Sequence, residues 1–334
     1  MIWLTWRQHR VQVLFVVLGM AVIAALIVPT GLKMHSVFTD SGLAACLRRT
    51  GGTEFVAVGS GRSAGCGELA NQFLARFGNL QPLAVLFAVV PLLVGLFLGA
   101  PLVAREVEHG THRLVWTQGV SRLRWALVKF GLVAAAGLAI AVGYTLLLSW
   151  WIRPLNGANG SRFTVLIFDQ QGIAPIGYTL FAVALGIFAG TVTHRMMSAM
   201  ATTLAGFLAV RLVVAGWARP HFLAQRERTF PVTTEVEPNP LSGDWIIRTG
   251  IYDSSGTQVA ANQQRTCLPE SAAPAAPPPT APRPEGCQEG LYNLQVYQPA
   301  GRFWLFQTIE TGIFVALAVV LIALAIHRVQ RRIS

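Results

Sequence analysis

Six apolar windows, each about the length of a membrane span, constrain this chain more than any other feature. They run Val11–Val28, Pro82–Ala104, Trp125–Trp151, Ile173–Thr193, Met196–Gly216 and Trp304–Ile326. About 20 helical residues cross the roughly 30 Å of hydrocarbon in a bilayer, and a helix satisfies its own backbone there. The windows therefore predict an all-α polytopic membrane protein with six transmembrane helices. Charged residues make up only 12% of the chain and mean hydropathy is +0.51, against about 25% charged residues in a soluble domain. That composition excludes a soluble cytosolic enzyme, a disordered chain and a disulfide-dense mini-protein. Arg7 and Arg10 precede the first window in the manner of a signal peptide. No small-x-small cleavage site follows it, so a retained helix is expected.

An even number of spans puts both ends of the chain on one side, and the cations choose the side. A net charge of +11 with a pI of about 10.5 would suggest nucleic acid for a soluble protein. Here Arg7, Arg10, Arg105, Arg113, Arg122, Arg124, Lys129, Arg195, Arg328, Arg331 and Arg332 fall on the short segments that share a side with the N-terminus. Only Glu106 and Glu108 oppose them. The much longer segments on the other side carry 14 cations and 12 carboxylates. The positive-inside rule then predicts cytoplasmic N- and C-termini in a plasma (inner) membrane, with lipid rather than nucleic acid as the partner of the charge. The cysteines agree, because Cys46, Cys66, Cys267 and Cys287 all lie in predicted outer loops, where disulfides persist. Pairing within each loop is favoured, although four cysteines allow three connectivities and the sequence does not choose among them.

The predicted division has three parts. Residues 1–216 hold an N-terminal elbow and helices one to five, with an outer loop at 29–81 and an inner loop at 105–124. Residues 217–303 form an extracellular subdomain, and 304–334 form helix six and a cytoplasmic tail. Within 217–303, Asp244–Tyr252 and Thr257–Ala260 are strand-like and flank a Ser-Ser-Gly turn, which predicts a hairpin. Leu291–Tyr297 is a further strand, so a small β-containing subdomain is expected between helices five and six. Seven prolines between Cys267 and Cys287 predict an extended segment there. Gly61-Arg62-Ser63-Ala64-Gly65 matches the G-x-S-x-G nucleophile elbow, but no apolar strand precedes it and nothing orients His35 or Asp40, so no hydrolase is read from it.

The inner loop is the most informative segment. Val103, Val107, Gly110 and Leu114 recur at helical spacing, with charge on the opposite face. Gly119 can stop that helix and Ser121 can cap the next. Such a short amphipathic helix suits docking on a cytoplasmic partner or lying on anionic headgroups. Trp3, Trp6, Arg7 and Arg10 suggest a second interfacial element, either an elbow helix parallel to the membrane or the flank of span one. Apart from Lys129 at the entry of the third window, only Arg211 and Glu310 place formal charge inside the windows. Each sits about 9 Å below the predicted outer edge on consecutive antiparallel helices, so an ion pair is expected, since an unpaired charge would cost at least a few kcal/mol. It would either clip the two spans together or gate a pathway. Pro91 should kink span two. Gly95–Gly99 and Gly186–Gly190 form two G-x-x-x-G patterns that permit close helix contact or dimerisation. No nucleotide-binding G-x-x-x-x-G-K-[ST] is present, the only lysines being Lys33 and Lys129, and no metal site or catalytic group is predicted.

Glu106-x-Glu108-His109-Gly110-Thr111, followed by Val120-Ser121-Arg122 and Lys129, resembles the inner-loop signature of ABC-2 type transporter permeases. Ile2 to Arg10, Gly110 to Gln118, Tyr297 to Trp304 and Ile309 to Gly312 are similar to the actinobacterial branch of that family. The resemblance implies a permease subunit of an exporter, not itself an enzyme. Its 105–118 helix, through Glu106, Glu108, Gly110, Thr111 and Arg113, would couple to a separate cytoplasmic ABC ATPase that binds ATP and Mg. A second permease copy, identical or similar, would complete the pathway. The long first outer loop and the folded last one depart from the family's simplest members. An ion-gradient-driven secondary transporter, or a sensor or anchor displaying the 217–303 loop, are the alternatives from other classes.

Overall fold

The computed structural model describes residues 2–49, 64–108, 121–159, 162–163, 165–232, 243–261 and 290–331. In chain order its helices are α1 (Ile2–Asp40), α2 (Leu43–Arg49), α3 (Ala64–Phe77), α4 (Gln81–Phe87), α5 (Val90–Glu108), α6 (Arg122–Asn159), α7 (Val165–Phe168), α8 (Ala174–Thr193), α9 (Met196–His221) and α10 (Phe303–Arg331). Six of them, α1, α5, α6, α8, α9 and α10, are long and apolar enough to cross a membrane.

α1 runs without a break from Ile2, so Trp3, Trp6, Arg7 and Arg10 lie on its first turns and not on a separate elbow. It also continues past Val28, where the sequence suggested a loop. Pro29 removes a backbone donor, yet the helix survives because the turn beyond it is clamped to α6. Thr30 Oγ1 donates to the carbonyls of Leu26 and Ile27 and accepts from Trp151 Nε1 at 3.0 Å. The His35 ring stacks on Trp150 at 5.0 Å and bonds its carbonyl at 3.0 Å. α2 and α3 fill much of the stretch expected to be an outer loop. Leu43, Phe73 and Phe77 pack on Leu148, Trp151 and Leu155 of α6, and a Cys46–Cys66 disulfide joins the two short helices. Cys267, Cys287 and the proline-rich stretch between them lie outside the described residues, as do Gly61 to Ser63.

Pro91 does more than kink the second span: the helix breaks at residues 88–89, between α4 and α5. Proline cannot donate to the carbonyl four residues earlier, which is that of Phe87. The Tyr144 hydroxyl donates to that carbonyl instead, at 2.6 Å. Further along, Gly95–Gly99 forms a π-turn. A Cβ on Gly95 would lie 2.6 Å from the Ala182 carbonyl, and one on Gly186 would lie 2.6 Å from the Ala100 amide. The two G-x-x-x-G patterns therefore face each other within one chain, bringing α5 and α8 into backbone contact. α8 and α9 are joined by residues 194–195 alone, with His194 left-handed at φ 56°.

Between α9 and α10 the strands β1 (Arg226–Pro231), β2 (Trp245–Tyr252), β3 (Gln258–Ala261) and β4 (Tyr292–Gln298) form an antiparallel sheet in the order β1-β4-β2-β3. The hairpin and the last strand match the sequence pattern. β1 was not expected, because Arg226-Glu227-Arg228-Thr229-Phe230-Pro231 lacks an apolar run; it is an edge strand, where charge is tolerated. In the hairpin turn Asp253 Oδ1 accepts from the Ser255 and Thr257 amides at 2.9 Å each, and Gly256 supplies φ +80°. The Ser255 hydroxyl, together with these amides, holds the Asp253 carboxyl below the usual carboxylate range. Phe163, Phe168, Phe303 and Phe306 stack under Trp245 and seat the sheet on one end of the bundle.

Candidate functional site

Arg211 and Glu310, the two charges deep inside the apolar windows, meet with Arg211 Nη1 donating to Glu310 Oε1 at 3.1 Å. They are half of a larger cluster. Arg219 donates from Nε to Glu310 Oε2 at 2.7 Å and from Nη2 to Oε1 at 2.8 Å. Asp169 receives Arg211 Nη2 and Arg219 Nη2, each at 2.5 Å. Two guanidinium groups and two carboxylates thus alternate, and their formal charges cancel. The Tyr178 hydroxyl donates to Glu310 Oε1 at 2.6 Å, and its ring lies 3.8 Å from Arg211 Cζ. Arg219 stacks over Phe168 at 4.3 Å. Glu310 and the Arg219 side chain are fully buried.

The five members come from four places in the chain: Asp169 follows α7, Tyr178 is on α8, Arg211 and Arg219 are on α9, and Glu310 is on α10. Gln307, one turn before Glu310, completes the junction. Its Oε1 accepts the Ile173 and Ala174 amides at 3.1 and 2.8 Å, capping α8, and its Nε2 donates to the Phe168 carbonyl at 2.9 Å. Regular α-helical geometry would rotate Arg219 about 80° away from Arg211. A π-turn at Val214–Ala218 absorbs one residue and returns Arg219 to the same face. Buried charge in apolar surroundings is tolerated when it is paired and hydrogen-bonded, and this cluster meets both conditions for its carboxylates.

At the far end of α5, Glu106 forms an ion pair with Lys129 of α6, whose Nζ also lies 5.0 Å from the Trp125 ring. Glu108 Oε2 accepts the Met196 amide at 2.9 Å, at the N-terminus of α9, where a carboxylate satisfies an orphan donor and complements the helix dipole. Gly110, Thr111 and Arg113 lie outside the described residues. The segment that starts after Glu108 is therefore tied at its root to α6 and α9.

Over residues 17–219 the sequence matches the family described as ABC-2 membrane transporter related. The chain belongs to that family. The match in this ABC-2 related protein takes in α5, α6, α8 and α9 and ends at Arg219, so four of the five cluster members fall inside it and Glu310 falls beyond. No curated protein and no solved structure matches the chain.

Proposed function

We propose that this protein is the membrane-spanning permease of an ABC exporter and that a separate cytoplasmic subunit binds ATP and Mg and hydrolyses the nucleotide. Membership of the ABC-2 related family is the observation that carries this proposal. The absence of a nucleotide-binding motif from the sequence is consistent with it. The distribution of Lys and Arg supports cytoplasmic termini, with the sheet then outside and residues 105–118 inside. A second permease copy would enclose the pathway.

Coupling would run through 105–118. The Glu106–Lys129 pair and the Glu108 cap on Met196 support this, because a displacement of that segment would be passed to α6 and α9 as well as to α5. Tight glycine contacts then carry it from α5 to α8 as a rigid-body movement. Ion-gradient coupling has less support, since the buried Glu310 and the half-buried Asp169 and Glu106 are all ion-paired.

Arg113 is the informative position for a test, because reversing Glu106 or Glu108 would also break contacts within the chain. The tagged protein should co-purify with an ATP-binding cassette subunit in a fixed ratio, and Arg113→Glu should lose that subunit while retaining its melting temperature. A chain that purifies alone under mild solubilisation would contradict the proposal.

A further inference from the structure

A cavity of about 950 Å³ opens at the sheet end of the bundle between α1, α6, α8 and the start of α10. None of the five cluster residues lines it. Its longest wall is one face of α6, on which Val142, Thr145, Leu146, Ser149, Arg153 and Asn156 recur at spacings of three and four residues. Along that face the chemistry changes from apolar to cationic. Val142 and Leu146 lie at the deep end, with Leu146 67% exposed on the flank of the bundle. Arg153 lies about 10 Å above Leu146 at 1.5 Å per residue. Arg162 faces the same space from the α6–α7 connection, and Ile173, Ile176 and Trp304 form the opposite wall.

Two observations distinguish this cavity from an ordinary crevice with a snorkelling arginine. Thr145 and Asn156 are only 5% and 8% exposed, yet Thr145 Oγ1 and Asn156 Oδ1 have no hydrogen-bond partner. Buried polar atoms are nearly always satisfied, so these two orphans on cavity-lining residues call for a partner that the described residues do not supply. Among the described residues, Arg153 and Arg162 make no ion pair and no carboxylate lines the cavity. The volume lies within the range of small-molecule sites, which are mostly apolar with a few convergent polar groups.

We infer that this cavity binds an amphiphile with a single anionic headgroup. The headgroup lies between Arg153 and Arg162, where charge-assisted hydrogen bonds are strongest. A hydroxyl or amide of the head donates to Asn156 Oδ1. Thr145 donates to a carbonyl where the tail begins, and the tail runs down past Leu146 to leave through the flank of the bundle. The inference concerns binding and stands whether or not the amphiphile is also transported.

The test uses the full-length chain in a neutral detergent, titrated with dioctanoylphosphatidylglycerol. Dioctanoylphosphatidylcholine tests the headgroup charge, and inorganic phosphate separates a lipid headgroup from a free anion. The phosphatidylglycerol should bind about tenfold or more tightly than the zwitterionic lipid, and phosphate alone should not displace it. Arg153→Gln with Arg162→Gln should remove that preference without changing the melting temperature, because both side chains are exposed. Thr145→Val should weaken binding while leaving the fold as stable or more so, since it replaces an unpartnered hydroxyl with a methyl group. Equal affinity for the two lipids, displacement by phosphate alone, or no effect of the arginine substitutions would each overturn the inference.

Discussion

Glu310 holds three hydrogen-bonding partners at once, and the consequence of neutralising it follows from the charges left behind. Glu310→Gln leaves Arg211 and Arg219 sharing Asp169, a net positive charge in a buried site. Removing one partner of a buried pair costs about 3–5 kcal/mol, so the purified variant should melt well below the parent protein. Arg211→Gln added to Glu310→Gln restores neutrality with Arg219 and Asp169 still paired, and most of the lost melting temperature should return. Transport should recover with it, as expected if the cluster clips α8, α9 and α10 together; recovery of stability without transport would give Glu310 a direct part in the pathway. Arg211 and Glu310 were legible in the sequence because, Lys129 at a window entry aside, they are the only charges in the apolar windows. Arg219 and Asp169 were not, because both fall just beyond a window edge. The π-turn that rotates Arg219 inward has no signature in Val214-Ala215-Gly216-Trp217-Ala218.

Close approach of α5 to α8 depends on glycine at four positions, and the cost of a side chain there depends on what it would strike. A Cβ on Gly186 would meet the Ala100 amide at 2.6 Å and the Gly95 carbonyl at 2.7 Å. Both are backbone atoms that cannot rotate away. Gly186→Ala should destabilise the protein by about 1–3 kcal/mol, read as a lower melting temperature and a reduced folded yield. Gly143→Ala on α6 meets nothing within 4 Å and should be neutral or slightly stabilising. Equal effects at the two positions would show that the α5–α8 contact is looser than described. The glycine patterns were visible in the sequence, but whether they join two chains or two helices of one chain depends on their register in space. The extension of α1 was hidden for a related reason: Pro29 reads as a stop, and only the tryptophans of α6, far along the chain, keep the helix going. β1 was hidden by its charges.

For the whole molecule, six spans and a sheet between the fifth and sixth were readable from hydropathy and strand alternation, because each feature is local. The way the parts meet was not, since the charge cluster draws on residues from 169 to 310 and the cavity on α1, α6, α8 and α10. Taken together, the cluster locks α8, α9 and α10 beneath the sheet, while Glu106 and Glu108 anchor the opposite end of α5 to α6 and α9. An input at residues 105–118 would then move a connected body and not one helix. In the proposed function this input comes from ATP hydrolysis in a partner. The decisive measurement is the ATPase rate of the co-purified cassette subunit in proteoliposomes, alone, with this chain and with its Arg113→Glu variant. The rate should rise when the chain is present and fall back with the variant; a rate indifferent to the chain, with transport sustained by a proton gradient in the absence of ATP, would overturn the proposed function.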